Sequence, residues 1–240
     1  MFSSAVSTTS APNTRTSQPI VTGTTVLGIK YADGVMLAAD TLASYGSLAR
    51  YNDVRRIQKV GSSTLIGASG EISDFQSVLD ILEGMTREDI NLDDGYTRTP
   101  AEIHGYLRSV MYQRRNKGNP LWNQLLVAGY REKPFLGYVD LIGTAYEENF
   151  IATGFGAYLA IPIIRDRWRA DLSEGEARAL VEDCLRVMYY RDCRASNRIQ
   201  IAKATGAGVS ISEPYVISSD WETANFDIRH STRGSDGSSW

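Results

Sequence analysis

The stretch Thr22-Gly23-Thr24-Thr25-Val26-Leu27-Gly28-Ile29-Lys30-Tyr31-Ala32-Asp33-Gly34-Val35-Met36-Leu37-Ala38-Ala39-Asp40 sets two β-prone apolar runs on either side of Ala32-Asp33-Gly34. An Asp-Gly pair between such runs is the strongest short-range hairpin signal, so the spacing predicts strands over 24–31 and 35–39. Both runs are close to continuous in apolar residues, which suits strands covered on both faces. The hairpin is expected at the middle of a sandwich.

Outward from it, Ser44-Tyr45-Gly46-Ser47-Leu48-Ala49-Arg50 is rich in turn formers, and Val54-Arg55-Arg56-Ile57-Gln58-Lys59-Val60 alternates as a strand does. Another short apolar strand is expected over 63–69, closed by Gly70. From 73 to 86, Phe75, Val78, Leu79, Leu82 and Met85 recur at the three- and four-residue spacing of an amphipathic helix. Residues 91–96 form a polar, acidic connector. Thr99-Pro100-Ala101-Glu102 then reads as a capping box with Pro at the first helical position, opening a helix to Arg114 that buries Ile103, Leu107, Val110 and Met111. The basic run Arg114-Arg115-Asn116-Lys117 suits that helix's C-terminal dipole. Strands are expected over 125–129, 135–140 and 142–146, and a helix over 156–168 interrupted by Pro162. Ser173 and Glu176 cap a last helix with the stripe Ala177, Leu180, Val181, Cys184, Leu185 and Met188. A closing hairpin pairs 199–204 with 209–211 around Gly206-Ala207-Gly208. Strand groups separated by helix pairs suit two antiparallel sheets face to face with helices outside; the pattern alone suits a generic α+β fold equally well.

At 240 residues the chain is long enough for a substantial core, and no linker divides it. Apolar residues make up 42% and charged residues 22%, as in ordinary globular proteins. A net charge of -3 makes neither nucleic acid nor an anionic membrane an attractive partner. No apolar run approaches the length of a membrane span. The isolated pair Cys184 and Cys193 reads as reduced thiols of a cytosolic or nuclear protein. With His104 and His230 the only histidines, and no Cys/His spacing, the chain offers no metal site. Gly154-Phe155-Gly156 begins like a dinucleotide fingerprint, but Leu159 holds the place of the third glycine, so no cofactor is expected. Residues 1–15, rich in Ser, Thr and Ala, read as a disordered leader; one Arg and no acid also give them a faint transit-peptide composition.

Gly23-Thr24-Thr25 opening a strand, with the Asp of Gly34-Val35-Met36-Leu37-Ala38-Ala39-Asp40 sixteen residues after Thr24, resembles the beta subunits of the 20S proteasome, members of the N-terminal-nucleophile hydrolases. That resemblance implies the four-layer αββα sandwich within α+β. Further stretches are similar to one subfamily, the non-catalytic beta type-4 subunits at the seventh beta position of the eukaryotic ring. They are Ser44 to Arg50, Met111-Tyr112-Gln113-Arg114-Arg115, Asn119-Pro120-Leu121-Trp122-Asn123, Ala152-Thr153-Gly154-Phe155-Gly156-Ala157 and Val187-Met188-Tyr189-Tyr190-Arg191-Asp192. The similarity runs from Thr16 to Ile211. It implies a subunit domain over 16–212, with α and β subunits of a stacked four-ring particle as partners in cytoplasm and nucleus. It also implies removal of the leader at Arg15–Thr16, eight residues before Thr24.

In the active members a Gly-Thr bond is cut by the Thr, which then serves as nucleophile with its own α-amino group as base. The resemblance places that Thr on Thr24 and its Asp on Asp40. The family's essential Lys falls on Arg56, which holds its proton at any ordinary pH and is larger and planar. The Ser of a Gly-Ser-Gly turn falls on Phe155, and an Asp-x-x-Ser pair on Asp192 and Ala195. Gly70 keeps the glycine whose N–H would face the oxyanion. Thr24, Asp40, Asp192 and Gly70 thus match, whereas Arg56, Phe155 and Ala195 do not, and Phe155 is expected to fill the space beside Thr24. Two readings follow: a non-catalytic structural subunit, or an active threonine peptidase with Thr24 as nucleophile. A free-standing amidohydrolase would need the same missing groups. Read from the residues alone, Asp40 is a hydrogen-bonded polar group at a strand end and Thr24 a plain strand residue. The tail 213–240 loses periodicity yet keeps Tyr215, Trp221 and Phe226, so it is expected to lie on other subunits and, by the resemblance, on the opposite beta ring.

Overall fold

The computed structural model describes residues 18–221. In chain order the strands and helices are β1 (Val21–Gly23), β2 (Val26–Tyr31), β3 (Gly34–Asp40), β4 (Ala43–Tyr45), β5 (Leu48–Tyr51), β6 (Ile57–Val60), β7 (Thr64–Glu71), α1 (Ile72–Leu92) and α2 (Pro100–Asn116). There follow β8 (Asn123–Tyr130), β9 (Pro134–Val139), β10 (Ala145–Glu147), β11 (Phe150–Ala152), α3 (Gly156–Arg167), α4 (Glu174–Arg191), β12 (Arg198–Thr205), β13 (Gly208–Ile211) and β14 (Tyr215–Val216). One sheet runs β10-β9-β8-β7-β1-β4-β5 with β6 also on β7; the other runs β11-β2-β3-β12-β13 with β14 also on β12. All pairings are antiparallel.

Alternation along the strands sorts side chains into three cores and so makes four layers. Val35, Leu37 and Ala39 of β3 meet Leu65 of β7 and Leu126 and Ala128 of β8 between the sheets. Met36 and Ala38 face the other way, onto the α4 stripe of Ala177, Leu180, Val181, Cys184, Leu185 and Met188. Leu125 and Val127 of β8 turn outward onto Phe75, Val78, Leu82, Ile103, Leu107 and Met111 of α1 and α2. A strand with helices on one face and a second sheet on the other has no wet side, which is why β2 and β3 read as near-continuous apolar runs. The αββα sandwich is thus the observed arrangement.

Both capping boxes form: Thr99 with Glu102 opens α2, and Ser173 with Glu176 opens α4. Several boundaries differ from the sequence reading. The central hairpin turns at Ala32-Asp33, with Tyr31 opposite Gly34 and no left-handed residue in the turn. Gly34 is required instead because a Cβ there would stand 2.3 Å from the Ala204 carbonyl of the neighbouring strand. The stretch 44–50, rich in turn formers, is a hairpin of β4 and β5. α1 continues to Leu92, since nothing from Thr86 to Leu92 breaks a helix, and stops where Asp93 turns left-handed. α3 passes through Pro162 without interruption: one missing N–H is tolerated where Ala160 and Ile164 are buried on either side of it.

The tail boundary is corrected as well. β14 pairs with Arg198 and Ile199 of β12, Ile217 is buried with the α4 stripe, and the Tyr215 hydroxyl donates to Glu182 at 2.6 Å. Trp221 stands edge-on to Tyr189 and Tyr190, with centroids 5.6 and 4.8 Å apart. Tyr215 and Ile217 therefore pack on this chain's own core, while Val216 and residues 218–221 stay exposed. A two-residue strand has no period to read, so it is not legible in the sequence. Phe226 and the rest of the tail lie outside the described residues, as do the leader, Arg15 and Thr16.

Candidate functional site

The chain crosses from one sheet to the other at Thr24 and Thr25, and the seven positions singled out by the resemblance are distributed around that crossing. Thr24 belongs to no strand. Before it, β1 lies between β7 and β4, with Thr22 opposite both Glu71 and Ser44 and Gly23 opposite Gly70. The Glu71 carboxylate accepts the N–H groups of Ile20 and Val21. After the crossing, the Val26 N–H donates to the Thr153 hydroxyl at 2.8 Å and the Gly156 N–H to the Thr25 hydroxyl at 3.0 Å. Thr24 is thus held from both sides, by the β1 pairing before it and by the bonds of Thr25 and Val26 after it.

Arg56 holds the crossing from beneath. Its side chain has no exposed surface. A guanidinium carries five N–H donors, and here each has an acceptor. Nε donates to the Asp40 carbonyl at 3.1 Å, Nη1 to the carbonyls of Thr24 at 3.1 Å and Ala68 at 3.2 Å, and Nη2 to the Thr25 carbonyl at 3.1 Å and to the Asp40 carboxylate. One side chain thereby ties the crossing to the end of β3 and to β7. Its stem lies so close over Gly23 that a Cβ there would stand 2.3 Å from Arg56 Cδ. The other Asp40 oxygen accepts the Ser196 N–H at 2.7 Å. Burial pushes the Asp40 carboxyl above its ordinary value, opposed by the Arg56 guanidinium and the Ser196 N–H and assisted by the charge of Asp192.

The Thr24 hydroxyl oxygen is buried and has no hydrogen-bond partner among the described residues. Arg56 bonds the Thr24 carbonyl rather than the hydroxyl, so no group stands ready to take that proton. Gly70 has φ +92°, and a Cβ on it would fall 2.0 Å from the Trp122 carbonyl oxygen, a position open only to glycine. Asp192 ends α4 and is buried. One of its carboxylate oxygens accepts the Arg194 N–H at 2.9 Å and its carbonyl accepts that of Ala195 at 3.1 Å.

Phe155 contradicts the expectation made for it. The residue is 58% exposed at the start of α3 and so is not the buried filler expected. The flanking glycines make the close approach. Gly154, at φ +56°, faces the Thr24–Thr25 backbone, and a Cβ on Gly156 would fall 2.4 Å from the Thr25 methyl. With no side chains there, the backbone closes on the crossing, while Phe155 between them stays exposed. The sequence reading also missed Thr25, Glu71, Thr153 and Ser196, because a buried hydroxyl, carboxylate or amide that pairs over long separations leaves no periodic signal.

Among the described residues no three His, Cys, Asp or Glu side chains gather as a metal would need. His104 is a core residue, its Nε2 2.9 Å from the Tyr138 carbonyl and its ring edge-on to Phe135. Cys184 and Cys193 are both free, and burial pushes the Cys184 thiol up to about 12. No helix among the described residues is long and apolar enough to cross a membrane.

A family profile described as "Proteasome subunit" matches residues 20–204. The chain is 49% identical over 225 residues to the proteasome subunit beta type-4 of Arabidopsis thaliana, covering 93% of this chain and 91% of that one. It is 47% identical to a probable proteasome subunit beta type-7 of Schizosaccharomyces pombe, with 94% and 88% covered, and 47% identical to the proteasome subunit beta type-4 of Xenopus laevis, with 89% and 90% covered.

Proposed function

The chain belongs to the proteasome subunit family, and from that premise we propose that it is a non-catalytic structural beta subunit of the 20S core particle, assembling with other proteasome subunits and supporting proteolysis by its neighbours. The observation that carries the reading is Arg56. At the place where active members hold a lysine, this chain holds a cation whose every donor is bound to Asp40 and to backbone carbonyls. Such a group ties strands together and has no free donor for a nucleophile. The Thr24 hydroxyl, with no hydrogen-bond partner among the described residues, supports the same reading, and a leader cut at Arg15–Thr16 would leave the Thr24 nitrogen an amide, which is not a base.

The finer parts of the proposal follow from the resemblance. The partners are alpha and beta subunits in four stacked rings, the process is ATP- and ubiquitin-dependent degradation, and the places are cytoplasm and nucleus. The leader is cut at Arg15–Thr16, and the segment beyond Trp221 reaches the opposite beta ring. The reading of Thr24 as an active nucleophile keeps Asp40, Asp192 and Gly70 but lacks the lysine and the two serines that the resemblance assigns to active members.

Purification of core particles through a tag on this chain tests the proposal. The tagged chain is expected in intact particles, and a Phe155→Ser, Arg56→Lys double variant is expected to add no peptidase activity while Thr24 remains internal. Particles that exclude the chain overturn it, and activity gained by the double variant overturns the argument that the Thr24 amine is blocked.

A further inference from the structure

Glu71, the last residue of β7, is a buried acid: it is 4% exposed and has no ion-pair partner among the described residues. Taking a carboxylate out of water is costly unless donors replace the water. Its backbone is fixed, since its N–H donates to the Trp122 carbonyl at 2.9 Å and its carbonyl accepts the Asn123 side-chain amide at 2.8 Å. The two carboxylate oxygens serve different segments. Oε1 accepts the Ser73 hydroxyl at 3.0 Å and the Ser73 N–H at the start of α1, whereas Oε2 accepts the N–H groups of Ile20 and Val21, the latter at 3.1 Å.

Oε2 is the last hydrogen-bond partner of the chain ahead of β1. The ladder to β4 begins at Val21, and Gln18, Pro19 and Ile20 are exposed, Ile20 by 54%. The hold is mutual. Bonds to a charged acceptor are the stronger kind, and drawing Ile20 and Val21 out of the sheet would leave a buried carboxylate oxygen without a donor. Extended peptides are commonly bound by strand pairing, so a segment already paired on both sides must open before a protease can take it. Cleavage then follows the population of the open form. From Thr16 to Pro19 the chain offers a tether of four residues, at most about 14 Å long.

We propose that Glu71 is a positioning residue for leader removal: by holding Ile20 and Val21 in the sheet, it confines trimming to the residues ahead of them and keeps the Gly23–Thr24 bond from being cut. The inference deepens the non-catalytic reading and rests on its leader removal, naming the group that keeps Thr24 internal.

The test is digestion of the isolated full chain by proteinase K, with the start of the resistant core read by intact mass over time. The unaltered chain should lose its leader and stop ahead of Ile20. Glu71→Ser retains a good N-cap for α1 but cannot reach Ile20 and Val21. Residues 20–23 should be lost from it about tenfold faster or more, because two bonds to a charged group are released. Glu71→Gln, whose amide carbonyl can accept both N–H groups while its NH2 donates to Ser73, should stay within about threefold of the unaltered chain. Ser73→Ala weakens the cap and leaves the hold intact, so it should not move the limit. Hydrogen exchange needs no variant: the Ile20 amide, on an exposed residue, should exchange about tenfold slower or more than an unstructured one. Loss of residues 20–23 at the same rate from every variant and the unaltered chain, or free exchange at Ile20, overturns the inference. Particles that lack the chain overturn the proposed function alone, since the digestion is read on the isolated chain.

Discussion

Changing Arg56 to lysine would restore the residue type of the active family members while keeping the charge. The lysine has three donors on a flexible stem where the guanidinium presents five in a fixed fork. Of the five acceptors now engaged around Arg56, at least two would lose their partner. The site has no access to water, since the Arg56 side chain is 0% and Asp40 4% exposed. Each buried acceptor left unpaired costs about 1–3 kcal/mol, so the variant should lose about 2–5 kcal/mol. For a chain of this size that is a fall in melting temperature of about 4–20 °C. Thermal unfolding of the isolated chain, followed by far-ultraviolet circular dichroism, measures it. A fall below about 2 °C would show that the lysine can satisfy the crossing, and the case for Arg56 as a structural tie would fail.

Two glycines with positive φ should respond unequally to alanine. Gly70→Ala drives a Cβ against the Trp122 carbonyl as well as straining the backbone, and should prevent accumulation of folded chain; Gly154→Ala meets nothing closer than 3.6 Å and should cost only the left-handed strain of about 1–2 kcal/mol. Comparable losses from the two in the same melting assay would refute the distinction. Glu176 has its carboxyl pulled down to about 2 from 4.5 by the Ser173 N–H and hydroxyl and by Arg169. A carboxyl depressed in the folded state contributes stability that is present above about 4.5 and lost as pH falls through about 2. Glu176→Gln should therefore differ most from the original chain near neutral pH and converge with it toward pH ~2; an equal difference at both ends would contradict the assignment.

Where a single element repeats its pattern, the sequence discloses it. The α4 stripe, both capping boxes and the central hairpin were readable because period 3.6, period 2 and fixed cap spacing are local properties. The alternate facing of Val35, Met36, Leu37 and Ala38 was legible as apolar continuity, though not as a division between two cores. Short elements escaped: β1, β11 and β14 span three residues or fewer, too few for any period. At the site, the resemblance drew attention to Arg56 through a change of residue type, but its acceptors lie in three other segments and four of the five are backbone carbonyls, which leave no mark in the sequence. Phe155 was misread because burial follows the backbone path, and the glycines beside it make the close approach while Phe155 stays exposed. The tail was misread because a loss of periodicity does not imply a loss of contact, as Tyr215 and Ile217 show.

The central claim is that Thr24 is a structural residue at a sheet crossing. Intact-mass analysis of this chain, taken from assembled core particles after exposure to a threonine-directed electrophile, tests it in one measurement. The account predicts the mass of a chain beginning at Thr16 with nothing added. A mass beginning at Thr24 and carrying one electrophile adduct would contradict it.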